Sequence, residues 1–325
     1  MFKSKKSMAI ISLLVIAITF GTLLGGCSKK PSEATVVKIA IGGADTGYSP
    51  ILVANDLNLL ENYAPGVKLE LVVVDSAVAI NEAFIANQID GGLFNLTNIL
   101  VGIDRKIPYK ILSSLSYGRN SIQTNAPDRI KSLADIKDDD KIAVSSTTGT
   151  GALMVYLAAE KYFGSYDALE KNMVVMGGGD ASVALINKSG ITFHATDITN
   201  RIKQNEARCT TILEDSDLFD GGLINTYLAL TNDFYEKNPK ICDALKLAMQ
   251  EAIDLIMAKD ERTVSSVTKW TGLDRDTYLK NMDEGCFKYV LDDFKSVERI
   301  IGISKRLELI LVTPKLSEVI FDYKQ

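Results

Sequence analysis

From residue 36 onward the chain repeats one alternation. A short apolar run rich in β-branched residues is followed by a polar or glycine-bearing loop, and then by a segment of helical periodicity. VVKIAIGG (36–43) reads as a buried strand closed by glycines, and ILVANDLNLLENY (51–63) as a helix with Leu52, Leu59 and Leu60 on its apolar side. KLELVVV (68–74) is a second strand before the helix SAVAINEAFIANQ (76–88). DGGLFN (90–95) is a third before TNILVGIDR (97–105), and YKILSSL (109–115) is a fourth. Strands that alternate with helices in this way build a parallel sheet covered on its faces, an α/β architecture. Right-handed crossovers then gather the loops that follow the strand C-termini on one rim.

The alternation restarts near Ser121. DRIKSLADIKDDDKIAVS (128–145) gives a short helix, an acidic turn and a strand, and TTGTGALMVYLAAEKYF (147–163) gives a loop running into a helix. NMVVMG, ASVALIN, ITFHAT and RCTTILE continue the pattern as strand, helix, strand and strand. Two similar α/β units therefore stand in series, with no close residue-level repeat between them. Past Gly222 one more strand, LINTYLALT (223–231), leads into a helical region. There Ile241, Leu245, Ala248, Ala252 and Leu255 step by four and three along one face. Residues 292–309 read as another such helix, with Phe294, Val297 and Ile301 facing inward, and Trp270 is assigned to packing between these helices. A length of 325 residues is near the size at which one core divides into two.

Charge narrows the function. The net charge is −5; without the first 26 residues, which carry Lys3, Lys5 and Lys6 and no acid, it is −8. Nucleic-acid backbones call for dense Lys and Arg, so no nucleic-acid partner is expected. A single His, no GxSxG elbow and no Cys/His cluster argue against triad hydrolases and metalloenzymes. No catalytic residue, metal or cofactor is expected. Cys209, Cys242 and Cys286 match no zinc spacing and read as small apolar residues, with at most one disulfide among them. The acidic run Asp138-Asp139-Asp140 reads as a solvated turn, and Gly177-Gly178-Gly179-Asp180 as a left-handed type of turn with Asp180 capping the next helix.

The N-terminus reads as an address. The basic start is followed by 17 apolar residues, Met8 to Leu24, short for a membrane span of about 20. Leu24-Gly25-Gly26-Cys27 resembles a bacterial lipobox. That resemblance implies a signal peptide over residues 1–26, with Cys27 carrying a lipid such as palmitate as the new N-terminus. Residues 27–35, with Pro31, then form a polar tether, and the body is held at the extracytoplasmic face of the cell membrane.

Four further stretches carry a wider resemblance. AFIANQIDGG (83–92) has Asn87 where the pattern usually has Gly, and IKSLADIKDDDKIAVSS (130–146) has Asp138 or Asp139 where Gly is usual. DASVALINKSGITFHA (180–195) places His194 at a customary Asp, and LALTNDFYEKNPKICDALKLAMQEAIDLI (228–256) completes the set. In this order, over residues 36–322, they resemble the solute-binding proteins of ABC importers. The nearest branch is the group for nitrate, taurine and alkanesulfonates, with the binders of a thiamine pyrimidine precursor. The resemblance implies a two-lobed, type II periplasmic-binding-protein-like fold with a hinge and an interlobe cleft. Residues 36–117 and 222–325 would form lobe I and residues 118–221 lobe II. A monomer would capture a small molecule and pass it to a permease and its ATPase. The ligand would be a sulfonate- or nitrate-like anion or a pyrimidine-type heteroaromatic. A sensory binding module uncoupled from transport, or an exported α/β enzyme, are the rival classes.

Candidate ligand contacts follow from strand-end positions. Asp45, Thr46 and Tyr48 follow the first strand, where Tyr48 can stack or hydrogen-bond. Ser76 follows the second strand, and Asn95 and Thr97 the third. Ser146, Thr147, Thr148 and Gly149 precede a helix whose free N–H groups attract electron-rich atoms, though the Lys of a nucleotide loop is missing. His194 and Asp197 close the set at the end of ITFHAT.

Overall fold

A computed structural model describes residues 35–43, 45–219 and 222–323. The signal-peptide, lipobox and tether expectations lie outside the described residues. Four strands come first: β1 (Thr35–Ile41), β2 (Val67–Val73), β3 (Gly91–Phe94) and β4 (Tyr109–Tyr117). The chain then enters a second sheet with β5 (Ser121–Thr124), β6 (Ile142–Val144), β7 (Met173–Val175), β8 (Phe193–Thr196) and β9 (Thr210–Glu214). It returns as β10 (Ile224–Thr231). The first sheet has the order β2-β1-β3-β10-β4 and the second β7-β6-β8-β5-β9. In each, four strands run one way, three of them side by side, and the strand made on changing sheets runs antiparallel to both neighbours.

Two strand connections tie the sheets. Gly118 N–H donates to Leu223 C=O (2.9 Å), and the buried Asp215 carboxylate accepts from Asn120 N–H (2.9 Å) and Nδ2 (3.2 Å). Burial raises the Asp215 pKa, and the Asn120 donors oppose that rise.

Helices cover the sheet faces as the periodicity requires. On the first sheet lie α1 (Ser49–Asp56), α2 (Leu60–Tyr63), α3 (Ala77–Ile85) and α4 (Leu96–Asp104). The sequence predicts one helix over 51–63, but Asn58 takes φ 54° and splits it into α1 and α2. Asn tolerates this left-handed conformation better than most residues. Asn87 does likewise just past α3 (φ 53°), serving where Gly is usual.

On the second sheet lie α5 (Thr150–Phe163), α6 (Gly178–Ile186) and α7 (Ile198–Glu206). Gly177 caps α6 at φ −55°, and Gly178 to Asp180 are already helical. The expected left-handed turn with an Asp180 cap is therefore corrected. The acidic run forms an exposed turn at Asp138 and Asp139, as expected, with Asp138 paired to Lys171 (2.8 Å); Asp140 is the correction, buried against Arg129 (2.6 Å).

The chain ends in α8 (Asn232–Lys237), α9 (Pro239–Met257), α10 (Glu261–Thr271), α11 (Arg275–Asp283), α12 (Val297–Arg306) and α13 (Leu316–Val319). In α9, Leu245, Ala248, Met249, Ala252 and Ile256 are buried at helical spacing, each large side chain adding roughly 1.5–3 kcal/mol. The helix expected over 292–309 starts only at Val297, because Asp292 has φ 56° and Asp293 and Lys295 form a turn. Trp270 packs at the edge of the core and donates from Nε1 to Asp56 (3.1 Å). The described cysteines are free, with Cys209 and Cys242 buried and Cys286 half-buried. No helix among the described residues is long and apolar enough to cross a membrane.

Candidate functional site

The two sheets meet where the loop after β1 faces the start of α7. Asp45 opens a short 3-10 turn over Thr46–Tyr48, its Oδ1 accepting from Gly47 N–H (2.8 Å). Thr46 is buried and reaches across to α7. Its N–H donates to Thr199 Oγ1 (3.1 Å), and the two hydroxyls are 3.0 Å apart. Tyr289 locks the same turn by donating to Thr46 C=O (3.1 Å). Gly47 is required here, because a Cβ would stand 2.8 Å from Ser116 Oγ and 3.0 Å from Thr226 Oγ1. The cavity at this junction is about 10 Å³, room for about one water. Asp45, Ser116, Tyr117, Phe287, Lys288 and Tyr289 are among its lining residues.

A second contact between the sheets mirrors the first. After β3, Asn95-Leu96-Thr97-Asn98 opens α4; after β8, Asp197-Ile198-Thr199-Asn200 opens α7. Each leading side chain caps its helix by accepting the N–H three residues on, at 3.0 Å for Asn95 and 2.9 Å for Asp197. Each motif also bonds to the loop that follows the central parallel strand of the other sheet. Thr199 meets Thr46 after β1, and Asn98 Oδ1 accepts from Thr148 after β6 (2.5 Å). Thr150, at the start of α5, adds a third bridge by donating to Asn225 Oδ1 (2.6 Å). The repeat is only four residues long, and the strand order shows that its two copies are equivalent.

The charges concentrate at one end of the junction. Burial, and then the Asp197 charge, push the Asp45 pKa up to about 7, while the Gly47 N–H opposes the rise. Burial also raises the Tyr48 phenol, followed by Asp45 and Asp197, so Tyr48 is protonated at all ordinary pH. His194 is buried in β8 with Nδ1 2.6 Å from Gln204 Nε2, which makes Nδ1 the acceptor. Burial pushes its pKa down to about 4 against the pull of Asp197, so the ring is neutral near pH 7. At the other end, Asn95, Asn98, Ser146 and Thr148 contribute amides and hydroxyls. No cluster of three or more His, Cys, Asp or Glu able to hold a metal occurs among the described residues.

No protein-family model matches the sequence, and comparison with curated proteins gave no match. Solved structures do match. The periplasmic aliphatic sulphonate binding protein SsuA from Escherichia coli is 15% identical with a TM-score of 0.73, over 89% of this chain and 93% of that one. The alkanesulfonate-binding SsuA from Xanthomonas axonopodis pv. citri, bound to MOPS, is 12% identical with a TM-score of 0.74, over 89% and 99%. The periplasmic nitrate-binding protein NrtA from Synechocystis PCC 6803 is 16% identical with a TM-score of 0.63, over 75% and 69%. The fold is that of the periplasmic binding proteins.

Within this binding-protein fold the sequence-derived candidates take different places. Asp45, Thr46 and Asp197 converge at the acidic end of the junction, with Tyr48 beside both carboxylates. Thr148 bridges the sheets, Gly149 caps α5, and Ser146 stays half-buried beside it. Thr97 is buried next to Asn98. Asn95 and Asp197 spend their oxygens on caps, and His194 lies inside the second sheet. Ser76 caps α3 on an exposed edge, and Thr147 is exposed; neither lines the cavity. The sequence does not single out Ser116, Asn225, Thr199 or the segment 286–289. Thr199 could have been found by setting the Asx-x-Thr-Asn caps side by side. Segment 286–289 lies in irregular backbone after α11 and has no periodic signal.

Proposed function

We propose that this chain is the extracytoplasmic solute-binding component of an ABC importer. It would be a lipoprotein, cut after residue 26 and lipidated at Cys27, and residues 27–35 would tether a monomeric body to the outer side of the membrane. Residues 36–117 with 222–325 form one lobe, residues 118–221 the other, and the connections near Gly118 and Asp215 act as the hinge. A small molecule is taken up between the lobes and handed, unaltered, to a permease driven by its ATPase.

One observation carries this reading: three hydroxyl-mediated bridges, Thr46–Thr199, Thr148–Asn98 and Thr150–Asn225, close the junction onto a water-sized void. Polar groups bonded only to one another across a junction can exchange those bonds for a ligand when the lobes part. A ligand that touches both lobes then favours closure as a population shift. Likeness to structures titled as sulphonate- and nitrate-binding proteins supports the same reading.

The test is a binding screen on the full chain with sulfonates, nitrate, pyrimidines, flavins and amino acids. A ligand at 100-fold excess over its Kd should add about 2.7 kcal/mol of stability. It should also be recovered chemically unchanged, while a Cys27→Ala chain should lack the lipid mass. Turnover of a ligand to product, without storage of the intact molecule, would overturn the reading.

A further inference from the structure

We propose that the loop at Leu311 and Val312 is a second membrane contact, which lies on a surface of anionic lipids near the point where the chain enters the body. This rests on the tethered-lipoprotein reading above and adds a contact that a lipid on Cys27 does not supply.

Position comes first. Ile39, Gly91, Leu230 and Lys110 stand side by side across the first sheet. Thr35 opens β1 four residues before Ile39, so it projects roughly 13 Å beyond that row, at the end of the sheet where β4 begins. The loop lies at the same end. Val312 N–H donates to Asp104 Oδ1 (2.9 Å) at the close of α4, and Val312 and Pro314 share a cavity with Asn232, which follows β10. The residues from Cys27 to Ala34 reach about 29 Å when fully extended, so a lipid on Cys27 keeps this end of the body close to the bilayer. The junction lies at the opposite ends of β1 and β4, past Ile41 and Tyr117, and is left facing the medium.

The surface chemistry fits a bilayer interface. Leu311 is 76% exposed, the most exposed large apolar side chain among the described residues, and Val312 beside it is 58% exposed. Single apolar side chains on a surface are ordinary. These two are adjacent, and Val312 with Pro314 borders a cavity of about 240 Å³ whose other walls include Leu100, Ile103 and Ile107. Five cations, Arg105, Lys106, Lys110, Lys305 and Lys315, stand in the same segments against three acids, Asp104, Glu308 and Glu318. That local net of +2 occurs in a chain whose net is −8 without its first 26 residues. Asp104 and Glu318 are turned to the backbone, accepting from Val312 N–H and from Lys315 N–H (2.7 Å). Neighbouring Arg306 and Asp233 are already paired, with Glu160 (2.9 Å) and Lys237 (2.7 Å). Lys305 Nζ donates to Leu311 C=O (2.7 Å) and steadies the loop. An apolar tip among cations can enter the acyl boundary while the ammonium groups meet lipid phosphates.

Hydrogen exchange on the full, lipidated chain tests this, in vesicles of phosphatidylcholine alone and of phosphatidylcholine with 30% phosphatidylglycerol. Amides of residues 311–315 should exchange about 20-fold more slowly on the anionic vesicles, about fivefold for each net positive charge. In 1 M salt, where the Debye length is about 3 Å, that difference should vanish. Arg105→Gln with Lys106→Asn should also abolish it, and Leu311→Ser with Val312→Ser should remove the protection on either vesicle. Amides of β1 and β10 report in the same spectra that each variant is folded. Equal exchange on both vesicles, or protection indifferent to salt and to both variant pairs, overturns the proposal and leaves the lipid tether standing. Protection that grows with the density of the protein on neutral vesicles marks a second copy as the occupant and overturns it as well. A chain without the lipid mass at Cys27 that still shows salt-sensitive protection keeps the surface and overturns the tether.

Discussion

The two sheets share one strand order, yet they spend the same positions differently. Ile39-Ala40 of β1 pairs with Gly91-Gly92 of β3, and Ile142-Ala143 of β6 pairs with Phe193-His194 of β8. Gly92 and His194 are therefore counterparts. In the first sheet the space above Gly92 belongs to α3, since a Cβ there would lie 2.6 Å from Ile80 Cγ2 and 3.2 Å from Phe84. In the second sheet the smaller Ala181, Ser182 and Leu185 of α6 stand over β8, and the imidazole and Gln204 fill the room. At Gly92 the first sheet is filled by apolar side chains. The second holds a buried polar chain, Ser182–Gln204–His194, that points toward Asp197. The lesson is that one topology can fill the same strand position with apolar side chains in one copy and with a buried titratable group in the other.

The largest effect that could break this comparison is Gly92→His. An imidazole there must displace Ile80 and Phe84, and a loss above about 4 kcal/mol in urea unfolding is expected. A folded variant of near-native stability would show that the counterparts are interchangeable.

Next comes acid. His194 has a folded-state pKa of about 4 against an ordinary 6.5, so the unfolded chain takes up this proton first. Its contribution is whole above about pH 6.5 and falls as the pH drops toward 4, by on the order of 3 kcal/mol. His194→Asn should flatten that limb of the pH–stability curve, and an unchanged limb would place the titration elsewhere. Asp45 works in the opposite sense. Its folded-state pKa is raised to about 7 from 3.8, so its contribution is whole below 3.8 and lost by about pH 7, and Asp45→Asn should stabilise the ligand-free chain at pH 8.

A smaller effect sharpens the likeness between the halves. Asn95→Ala and Asp197→Ala each remove one equivalent cap, and each should cost about 1 kcal/mol in thermal unfolding. The smallest effect separates them again. Thr199→Val breaks the bond to Thr46 and should cost roughly 0.5–1.5 kcal/mol. Thr97→Val, its counterpart, should cost less than about 0.5 kcal/mol, read by the same melts.

Much of the architecture was legible because strand and helix periods are local. Runs such as 36–43 and 109–115 fall on β1 and β4, and the stepping apolar face of 241–255 falls on α9. Local breaks were harder to see. Asn58 and Asp292 enter left-handed backbone that their neighbours' apolar spacing conceals, so one expected helix split and another began late. At the site, residues in strand-end loops could be named, since topology puts those loops on one rim. The pairing of Thr46 with Thr199 spans 153 positions, and Tyr289 approaches Thr46 from 243 positions away. No spacing rule within a single strand or helix reaches that far.

The placement of β10 has a consequence for how the molecule is made. It is the inner neighbour of both β3 and β4, yet it follows them by more than a hundred residues. During synthesis the first sheet therefore waits with two open edges until the whole second sheet has emerged. Its completion is a late, long-range step. A nascent chain of this design stays short of its final shape until nearly three-quarters of it has left the ribosome.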